Sequence, residues 1–403
     1  MYHILIHMKK TSLLIGLMSG TSMDGIDAVL VEIIEEASAI KAITLLDMTS
    51  IEYTPELKTL LLGLCSAQTT DIDTLTRAHF GLGEWNAQAV LQLLDKTKKN
   101  PKEIAAIGMH GQTIWHAPTK LPFPGIAHPF EIGGTLQIGN PQVVALRTGI
   151  PVISDFRAAD IALGGEGAPL ALIIDHLFFS ETGKTVAVQN IGGIGNVTVL
   201  PKAGELYAFD TGPGNMIIDA LVQRYTGRPY DAGGSLAARG KIDEALLHRL
   251  MDDPYFALSP PKSTGREVYG SHYVQRLIDR AEHLSFENLI ATATAFTAYS
   301  IADSYKRFIM PEHGLDRVVV SGGGARNKTL LSYLESYLDR EIVTGEAYGV
   351  PDQGREAMAF ALLAHESLNK RPANFPLATG ARKRTILGTI TLQEKIDIVE
   401  PSW

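Results

Sequence analysis

The stretch GLMSGTSMDGIDAVLVEI, residues 16–33, contains the polar bend SGTSMDGID, residues 19–27. This bend joins two apolar runs, residues 13–18 and 28–34. The apolar runs predict two strands, and the bend between them is rich in glycine, hydroxyl groups and aspartate. Glycine permits positive φ and close backbone approach, so successive N–H groups can point at the oxygens of a phosphate. The stretch therefore predicts a strand pair whose connection can bind an anion.

Two further glycine-rich turns follow apolar strands, IGGIGN at residues 191–196 and SGGGARN at residues 321–327. A single glycine-rich turn is most often a plain connector between elements. Three such turns at the ends of buried strands, the first of them with hydroxyls and aspartates, favour a phosphate-binding site.

Length, charge and cysteine content limit the class of protein. The chain has 403 residues, of which 45% are hydrophobic, and its formal net charge is -8. A single hydrophobic core stops growing beyond roughly 250–300 residues, so two domains around a cleft are expected. The acidic balance argues against non-specific binding of nucleic acid, which needs a basic face. The single cysteine, Cys65, excludes an intramolecular disulfide and a cysteine-based zinc cluster.

The N-terminal stretch MYHILIHMKKTSLL does not have the pattern of a secretory signal peptide, because its apolar part is short and precedes the lysines. No uninterrupted apolar stretch approaches the ~18–20 residues that span a bilayer. We therefore expect a cytoplasmic protein without a membrane partner, and Met8 is an alternative start of translation.

Hydrophobic periodicity predicts an alternation of strands and helices. Further strands are expected at residues 104–109, 152–154, 186–190, 197–200, 206–209 and 318–320. Helices are expected at residues 54–64, 71–98, 215–225, 242–251, 289–308 and 355–368, with another that ends near residue 337. Residues 121–151 are expected to form loops, short strands and a crossover. Because helices, parallel connections and hairpins are mixed, the pattern predicts an α/β fold with mixed sheets.

Common nucleotide-binding and hydrolytic motifs do not fit the spacing. The P-loop pattern has one near match at GKT, residues 183–185, but Phe178 occupies its first glycine position. Gly322 and Gly324 match the first two glycines of the dinucleotide fingerprint, whereas Asn327 stands at the third. The chain contains no HExxH and no GxSxG.

The segment at residues 16–33 closely resembles the phosphate-binding opening of the anhydro-N-acetylmuramic acid kinases. The resemblance continues in order along nearly the whole chain, which makes it specific. Its further motifs are HGQT (110–113), QIGNP (137–141), DFR (155–157), GGEGAPL (164–170), NIGGIGNV (190–197), FDTGPGNMIID (209–219), PKSTGRE (261–267) and SGGGARN (321–327). For Lys262 and Arg266 of PKSTGRE the residues themselves suggest no task.

The resemblance implies the two-domain actin/hexokinase-like fold, α/β with mixed, ribonuclease H-like sheets, whose domains close over ATP and sugar at an interdomain cleft. Domain I is expected at residues 1–145, completed by residues 350–403, and carries the first phosphate hairpin. Domain II, residues 146–349, carries the second phosphate turn, a catalytic aspartate and the glycine turn on the adenosine side.

The resemblance also implies an activity. Enzymes of this family open the 1,6-anhydro bridge of 1,6-anhydro-N-acetylmuramic acid with water and phosphorylate the freed O6 from ATP. The product, N-acetylmuramate 6-phosphate, belongs to cell-wall recycling. The expected small-molecule partners are therefore this amino sugar, ATP and Mg²⁺, with no dedicated metal ligands assigned and with a homodimer as the expected assembly.

Asp210 is the expected catalytic base, since the resemblance assigns the base to its motif position. It follows the strand at residues 206–209 and precedes the flexible sequence TGPG. A carboxylate suits the removal of a proton from the attacking water. The structural alternative is a turn aspartate that caps the helix near Asn215.

The resemblance implies that three turns bind the nucleotide. The expected cofactor-binding residues are Gly20, Thr21, Ser22, Met23, Asp24, Gly25, Ile26 and Asp27 in the first turn, Gly192, Gly193 and Asn196 in the second, and Gly322, Gly323, Gly324 and Asn327 in the third. Asp24 or Asp27 is expected to orient metal-bound water. The alternative for SMDG is an ordinary hairpin turn.

The expected substrate-binding residues besides Asp210 are His110, Gln112, Thr113, Asp155, Arg157 and Glu356. Arg157 could pair with the lactyl carboxylate of the sugar, because a guanidinium matches a carboxylate bidentately; its alternative is a surface or interdomain ion pair. His110, Gln112 and Thr113 offer contacts to sugar hydroxyls or form a structural turn. Glu356 hydrogen-bonds the sugar or only favours its helix dipole.

Two rival functions remain open at this point. One keeps the fold but changes the substrate to another anhydrosugar such as levoglucosan, which lacks the lactyl acid and would leave Arg157 without its purpose. The other is a non-catalytic ATP-binding regulator of the same fold. The chain shows no helix-turn-helix with a basic recognition face, and Asp210 is retained, which both argue against a regulator.

Overall fold

The computed structural model describes residues 9–348 and 354–392. The alternative start at Met8 and the expected domain boundary at 349/350 lie outside the described residues. The strands are β1 (Lys10–Ser19), β2 (Gly25–Glu36), β3 (Ala39–Glu52), β4 (Ile104–Phe123), β5 (Phe130–Ile138), β6 (Val152–Ser154), β7 (Val186–Ile191), β8 (Ile194–Leu200), β9 (Tyr207–Pro213), β10 (Arg317–Ser321), β11 (Ile342–Thr344) and β12 (Thr389–Thr391).

The helices alternate with these strands, as the periodicity predicts. They are α1 (Pro55–Leu64), α2 (Ile72–Thr97), α3 (Pro141–Thr148), α4 (Ala158–Ala162), α5 (Leu172–Phe179), α6 (Met216–Thr226), α7 (Glu244–Met251), α8 (Arg266–Tyr269), α9 (Ser271–Arg280), α10 (Phe286–Phe308), α11 (Met310–His313), α12 (Lys328–Leu338), α13 (Arg355–Leu368) and α14 (Pro376–Thr379). Among the described residues, no helix combines the length and apolar character needed to cross a membrane.

The chain divides into two compact units. The first is formed by Met1–Leu177 and Gln353–Trp403, and the second by Phe178–Asp352. Residues 146–177 therefore belong to the first unit. The sequence had suggested that they belong to the second. The physical reason is strand pairing, because β6 lies parallel to β4 and β12 lies antiparallel to β6 in the sheet of the first unit.

Each unit contains one mixed sheet. In the described part of the first unit the strand order is β12-β6-β4-β1-β2-β3, with β5 paired to β4. In the second unit the order is β11-β10-β7-β8-β9. In both units the first three strands form an antiparallel meander and the next strand joins parallel to the first. The prediction of an α/β fold with mixed sheets is thus confirmed.

Two glycines on neighbouring strands let helix α13 pack directly onto the first sheet. Gly16 of β1 and Gly108 of β4 are partners in parallel register. A Cβ atom at Gly16 would lie 1.8 Å from the carbonyl oxygen of Ala357, and one at Gly108 would lie 2.0 Å from that of Phe360. The residues on either side of Gly16 point to the other face, where α2 helps to complete a hydrophobic core. Because both faces are covered, β1 is apolar along most of its length.

Helix α10 is the central helix of the second unit. Most of its side chains are small or apolar and buried on every side, as expected of a helix within a core. Thr297 donates a hydrogen bond to the Gly214 carbonyl oxygen at 2.9 Å, and Tyr305 donates one to Gln189 at 3.0 Å. The helix therefore holds both the first strand of the second sheet and the loop that follows its third strand.

Two regions differ from the sequence-based expectation. Strand β3 was not predicted, because it lies at the edge of the sheet and its exposed and buried positions are interrupted by register shifts against β2. Residues 121–151, expected to form loops, short strands and a crossover, contain the end of β4, strand β5 and helix α3. Beyond Gln112, strand β4 leaves β1 and pairs only with β5, so its residues are largely exposed and lack a clear apolar period.

Candidate active site

The turn between β1 and β2 is closed by a hydrogen bond from the Met23 N–H to the Gly20 carbonyl oxygen at 3.1 Å. Met23 has a φ of 53°, in the left-handed region that residues other than glycine rarely adopt. Its side chain is 3% exposed, so core packing stabilises this conformation, and Ile26 is fully buried. Only the backbone of these two predicted residues is therefore available to a ligand. The exposed predicted side chains of the turn are Thr21, Ser22 and Asp24.

Gln112 of β4 holds this turn from the neighbouring strand. Its Nε2 donates a hydrogen bond to the Gly20 carbonyl oxygen at 3.1 Å, and its Oε1 accepts one from the Tyr53 hydroxyl at 3.5 Å. Tyr53 also donates to Ser19 Oγ at 3.3 Å. Gln112 is 1% exposed, so its amide shapes the turn, and the sugar contact expected of it stays a prediction.

The two aspartates of the turn have different partners. Asp24 forms an ion pair with Lys58 of α1, and this hydrogen bond lowers the pKa of Asp24. Asp27 Oδ1 accepts a hydrogen bond from Ser50 Oγ at 2.5 Å, across the β2–β3 pairing. The carboxylate of Asp27 is therefore not neutralised by a cation in the described hydrogen bonds.

His110 and Arg157 form a buried pair beside the turn. His110 Nε2 lies 2.9 Å from Nη2 and 3.3 Å from Nε of Arg157. Because a guanidinium only donates, the imidazole accepts at Nε2 and is neutral. Burial, together with the charge of Arg157, lowers the pKa of His110 to about 3. Arg157 Nη1 also donates to the Gly167 carbonyl oxygen at 3.3 Å, which leaves part of its fork for a ligand.

Asp160 fixes the loop that receives Arg157. Its Oδ2 accepts a hydrogen bond from the Gly167 N–H at 2.9 Å. Its Oδ1 accepts from Asn374 Nδ2 at 2.8 Å and from Thr379 Oγ1 at 2.7 Å. The GGEGAPL motif is therefore held by a buried carboxylate whose partners come from the far end of the chain.

Asp155 and Glu356 complete the group of predicted residues on the first unit. Asp155 follows β6 with a φ of 56° and an exposed side chain, and partial desolvation raises its pKa. Partial desolvation also raises the pKa of Glu356 at the start of α13, Arg355 and Arg157 oppose this rise, and Asp27 adds to it. Asp27 and Arg157 are thus each close enough to Glu356 to act on its charge. Thr113 instead accepts a hydrogen bond from Gln137 Nε2 at 3.2 Å within the β4–β5 ribbon.

The turn between β7 and β8 is held by the loop that follows β9. Gly192 accepts a hydrogen bond from the Asn215 N–H at 2.7 Å. Gly193 accepts from the N–H groups of Gly214 and Met216 at 2.9 and 3.1 Å, and it remains exposed. These hydrogen bonds place the second glycine turn, predicted to bind phosphate, next to the FDTGPGNMIID motif that contains Asp210.

Asp210 lies in β9, directly opposite Asn196 in the register with β8. Its Oδ2 accepts a hydrogen bond from the Thr264 N–H at 2.9 Å, and among the described hydrogen bonds none engages Oδ1. Burial raises the pKa of Asp210 to about 6, the Thr264 amide opposes this, and Glu267 adds to it. Asp210 does not cap α6, whose N-cap residue is Asn215. The structural alternative considered for Asp210 is therefore wrong.

The third glycine turn lies between β10 and α12. Gly322 has a φ of 78°, and a Cβ atom there would lie 2.5 Å from Asn190 Oδ1. Only glycine fits this close approach to the end of β7. Asn327 Oδ1 accepts a hydrogen bond from the Leu330 N–H at 3.0 Å and caps α12. This side-chain oxygen thus has a structural partner, and a nucleotide contact of Asn327 stays a prediction.

The residues fit a magnesium ion that is held chiefly by phosphate. Among the described residues, no group of three or more histidine, cysteine, aspartate or glutamate side chains could hold a metal by itself. Mg²⁺ in phosphoryl-transfer sites keeps several waters and binds one or two carboxylates together with substrate phosphates. Asp27 supplies one suitable carboxylate, whereas Asp24 is engaged by Lys58.

Several residues that position the site were not predicted. Tyr53 reaches a partner 34 residues away in sequence and Tyr255 reaches one 45 residues away, and no local pattern signals such contacts. Thr264 carried a signal, because it lies in the PKSTGRE motif. The structure places this motif against Asp210.

The strand order and the positions of the turns define the class of this protein. Both units have an antiparallel meander followed by parallel strands, and glycine-rich turns lie at the ends of their central strands. This duplicated, ribonuclease H-like arrangement is that of the actin/hexokinase-like α/β proteins, as the sequence predicted.

Comparison with known proteins narrows this class to one family. The family model described as anhydro-N-acetylmuramic acid kinase matches residues 12–393. The anhydro-N-acetylmuramic acid kinase of Caldanaerobacter subterraneus subsp. tengcongensis is 44% identical over 395 residues, which cover 96% of this chain and 98% of that protein. The anhydro-N-acetylmuramic acid kinase of Clostridioides difficile is 42% identical and covers 94% of this chain and 97% of that protein. The chain belongs to the anhydro-N-acetylmuramic acid kinase family, a family of phosphotransferases.

Among solved structures, the chain is similar to the activator of the 2-hydroxyisocaproyl-CoA dehydratase from Clostridium difficile. It is 13% identical with a TM-score of 0.42, and the match covers 89% of this chain and 96% of that one. The family assignment does not depend on this likeness.

Proposed function

We propose that this chain opens the 1,6-anhydro bridge of 1,6-anhydro-N-acetylmuramic acid with water and transfers the γ-phosphoryl group of ATP to O6. Family membership over residues 12–393 supports both the kinase activity and the sugar. The observation that carries the chemistry is Asp210, a partly buried carboxylate with one oxygen held by the Thr264 amide and a pKa raised to about 6. A base of this pKa is ionised at neutral pH and still accepts a proton readily.

The proposed reaction uses Asp210 as the general base. The carboxylate takes a proton from water as the water oxygen bonds to C1, and the C1–O6 bond breaks. O6 then bonds to the γ-phosphorus as the bond to the bridging β–γ oxygen breaks, which releases ADP. A positioned base typically contributes ~10²–10⁴-fold to such a step. The rest of the catalysis is positioning and charge stabilisation, which backbone amides and Mg²⁺ supply.

We assign the nucleotide to the three glycine turns. The backbone of residues 20–27 and the turn with Gly192, Gly193 and Asn196 would bind the phosphates, and the turn at residues 322–327 would bind the adenosine side. Mg²⁺ would neutralise charge on the transferring phosphate, with Asp27 orienting one of its waters. The exposure of Thr21, Ser22 and Gly193 supports this assignment.

We assign the sugar to the group around Arg157. The donors of Arg157 that remain beside its bonds to His110 and Gly167 suit the lactyl carboxylate. His110, neutral and buried, keeps the guanidinium in place. Asp155 and Glu356 would accept hydrogen bonds from the sugar.

Because ATP is the donor, we propose a cytoplasmic location. We also propose a homodimer, which light scattering would test.

Phosphorylation in ¹⁸O-labelled water tests the proposed reaction. We expect label at C1 of N-acetylmuramate 6-phosphate and none in the transferred phosphate, because water attacks carbon and not phosphorus.

Asp210→Asn should lower turnover by ~10²–10⁴-fold with little change in ATP affinity. Asp252→Asn, at an exposed position of the second unit, is the control. Label in the phosphate, or near-normal turnover of Asp210→Asn, would contradict the mechanism.

The rival substrate is tested by the same assay. If the chain were a kinase for levoglucosan, that sugar would be turned over at least as well as 1,6-anhydro-N-acetylmuramic acid. We expect the opposite, because the remaining donors of Arg157 match a carboxylate bidentately and levoglucosan has none.

A further inference from the structure

One segment of the second unit holds Asp210 at three atoms. The Tyr255 hydroxyl donates a hydrogen bond to the Asp210 carbonyl oxygen at 2.7 Å. The Asp210 N–H donates to the Lys262 carbonyl oxygen at 3.0 Å, and the Thr264 N–H donates to Asp210 Oδ2 at 2.9 Å. We call Tyr255, Lys262 and Thr264 the Asp210 clamp. The clamp fixes both the backbone and one carboxylate oxygen of the proposed base.

The side chain of Lys262 is buried inside this clamp, against Tyr255. It is 6% exposed, which is unusual for a lysine that has no carboxylate within ion-pair distance among the described salt bridges. Its Nζ lies 4.7 Å from the ring centroid of Tyr255 and 4.8 Å from that of Phe308. Nζ also donates a hydrogen bond to the Tyr255 carbonyl oxygen at 3.4 Å. The ammonium group therefore contacts the ring and the backbone of the residue whose hydroxyl binds Asp210.

Lys262 remains mostly protonated near neutral pH although it is buried. Burial lowers the pKa of Lys262 to about 8, while Asp303 of α10 opposes the shift and Arg307 of α10 adds to it. On the side of Asp210, Glu267 of α8 is the charged group that acts on the carboxyl. Removing the ammonium group of Lys262 would leave the Tyr255 ring without its cation and the Tyr255 carbonyl oxygen without this hydrogen-bond donor.

We propose that Lys262 is a positioning residue for the reaction. Its ammonium group holds Tyr255, and through Tyr255 and its own backbone it keeps Asp210 Oδ2 on the Thr264 amide with Oδ1 directed to the reacting water. This inference rests on the proposed role of Asp210 as the base. It assigns a task to the PKSTGRE motif that the sequence leaves unexplained.

Lys262→Met tests the proposal, because methionine keeps an unbranched side chain between the rings of Tyr255 and Phe308 but removes the charge. We expect kcat to fall about tenfold or more, with the KM values for ATP and sugar within about twofold, since a base displaced by a fraction of an ångström loses rate and not binding. The acid limb of the kcat–pH profile should also move to higher pH. A loosened Thr264 hydrogen bond stabilises the carboxylate less, and this raises the pKa of Asp210.

The control is Lys306→Met, at an exposed lysine of α10, which should leave kcat and the profile unchanged. A loss of stability alone reduces the amount of folded protein, which circular dichroism at each pH separates from a moved acid limb. If Lys262→Met turns over normally with an unshifted acid limb, while Asp210→Asn is inactive, the positioning role is wrong and the proposed function stands. If the wild-type chain has no kinase activity on the sugar, the proposed function itself fails.

Tyr255→Phe decides the matter if Lys262→Met does not fold. This variant keeps the ring that Lys262 contacts and removes only the hydroxyl that binds the Asp210 carbonyl. We expect a smaller loss of kcat, about threefold or more, with the acid limb again displaced upward. An unchanged kcat and profile would overturn the proposal that the Lys262 ammonium group acts on Asp210 through Tyr255.

Discussion

At the scale of single residues, burial sets the protonation state of a candidate site residue in each unit. Desolvation raises the pKa of Asp210 to about 6 and lowers the pKa of His110 to about 3. In each case the neutral form is favoured, because a low-dielectric surrounding penalises charge. The consequence differs, since a carboxyl with a raised pKa is a better base, whereas an imidazole with a lowered pKa is a permanent acceptor for Arg157.

The pKa of Asp210 predicts the pH dependence of turnover. The carboxyl must be ionised to take a proton from water, so kcat should fall as the pH drops through about 6 and should level off above it. The measurement is kcat at saturating ATP and sugar from about pH 5 to about pH 8, with the folded state monitored by circular dichroism. A rate that stays constant down to pH 5 in folded protein would contradict the assignment of Asp210 as base.

Arg157→Lys tests the proposed contact to the lactyl carboxylate. A lysine cannot form the guanidinium fork, so KM for 1,6-anhydro-N-acetylmuramic acid should rise by about 10–100-fold, as for the loss of a charge-assisted hydrogen bond of ~1.5–3 kcal/mol. The KM for 1,6-anhydro-N-acetylglucosamine, which has no lactyl group, should change much less. Arg77→Lys on the exposed face of α2 is the control. Equal losses for the two sugars would show that Arg157 supports the fold of the site and not the carboxylate.

At the scale of elements, the closeness of helix α13 to the first sheet depends on two missing side chains. Gly16 and Gly108 lie side by side in β1 and β4, and backbone carbonyls of α13 occupy the space where their Cβ atoms would stand. This contact sets the position of the N-terminal end of α13, where Glu356 lies. The geometry of a predicted site residue thus follows from a helix-to-sheet distance.

Gly16→Ala should therefore be strongly destabilising. A methyl group 1.8 Å from the Ala357 carbonyl oxygen forces α13 away from β1, and overpacking of this kind costs about 3 kcal/mol. Gly63→Ala in α1 is the matched control, because a Cβ there meets nothing within 4 Å and alanine is the better helix former by about 0.5–1 kcal/mol. Urea unfolding of both variants makes the comparison. Similar free energies of unfolding for the two would show that α13 adjusts without cost.

At the scale of the whole molecule, the chain returns to the first unit after it has formed the second. The returning segment is tied to β2 by a buried ion network. Arg371 Nη1 lies 2.5 Å from Glu35 Oε1, and Arg371 Nη2 lies 2.6 Å from Glu366 Oε1. His365 joins the network at 3.4 Å from Glu35 Oε2. The unit is therefore completed by contacts between residues more than 300 positions apart.

Arg371→Met should destabilise the first unit by about 3–5 kcal/mol, because it leaves the buried carboxylate of Glu35 and the partly buried carboxylate of Glu366 without this cation. The double variant Glu35→Gln with Arg371→Met should lose less than the single variant, since one of the stranded charges is then removed. Arg77→Met, which breaks an exposed pair with Asp73, should have little effect on the unfolding midpoint. Equal effects of the buried and the exposed substitutions would contradict the assigned importance of the network.

Much of the architecture was predictable because its causes are local. The helix at residues 355–368 was predicted with the bounds that the structure has, and the glycine turns follow the strands that the apolar runs indicated. The edge strand β3 was missed, and the β4–β5 ribbon was predicted only as loops and short strands, since the exposed residues of both carry little apolar period. Asp210 was singled out through the resemblance of its motif and not through any pattern of its own.

The sequence by itself determined the family, the α/β alternation and the glycine turns, because each of these depends on residues that are neighbours along the chain. The tertiary structure alone decided that residues 146–177 join the first unit, that Gln112 supports the Gly20 turn and that the PKSTGRE segment holds Asp210. The physical reason is that burial, pKa and hydrogen-bond partners depend on groups brought together by folding, and these groups are far apart in the sequence.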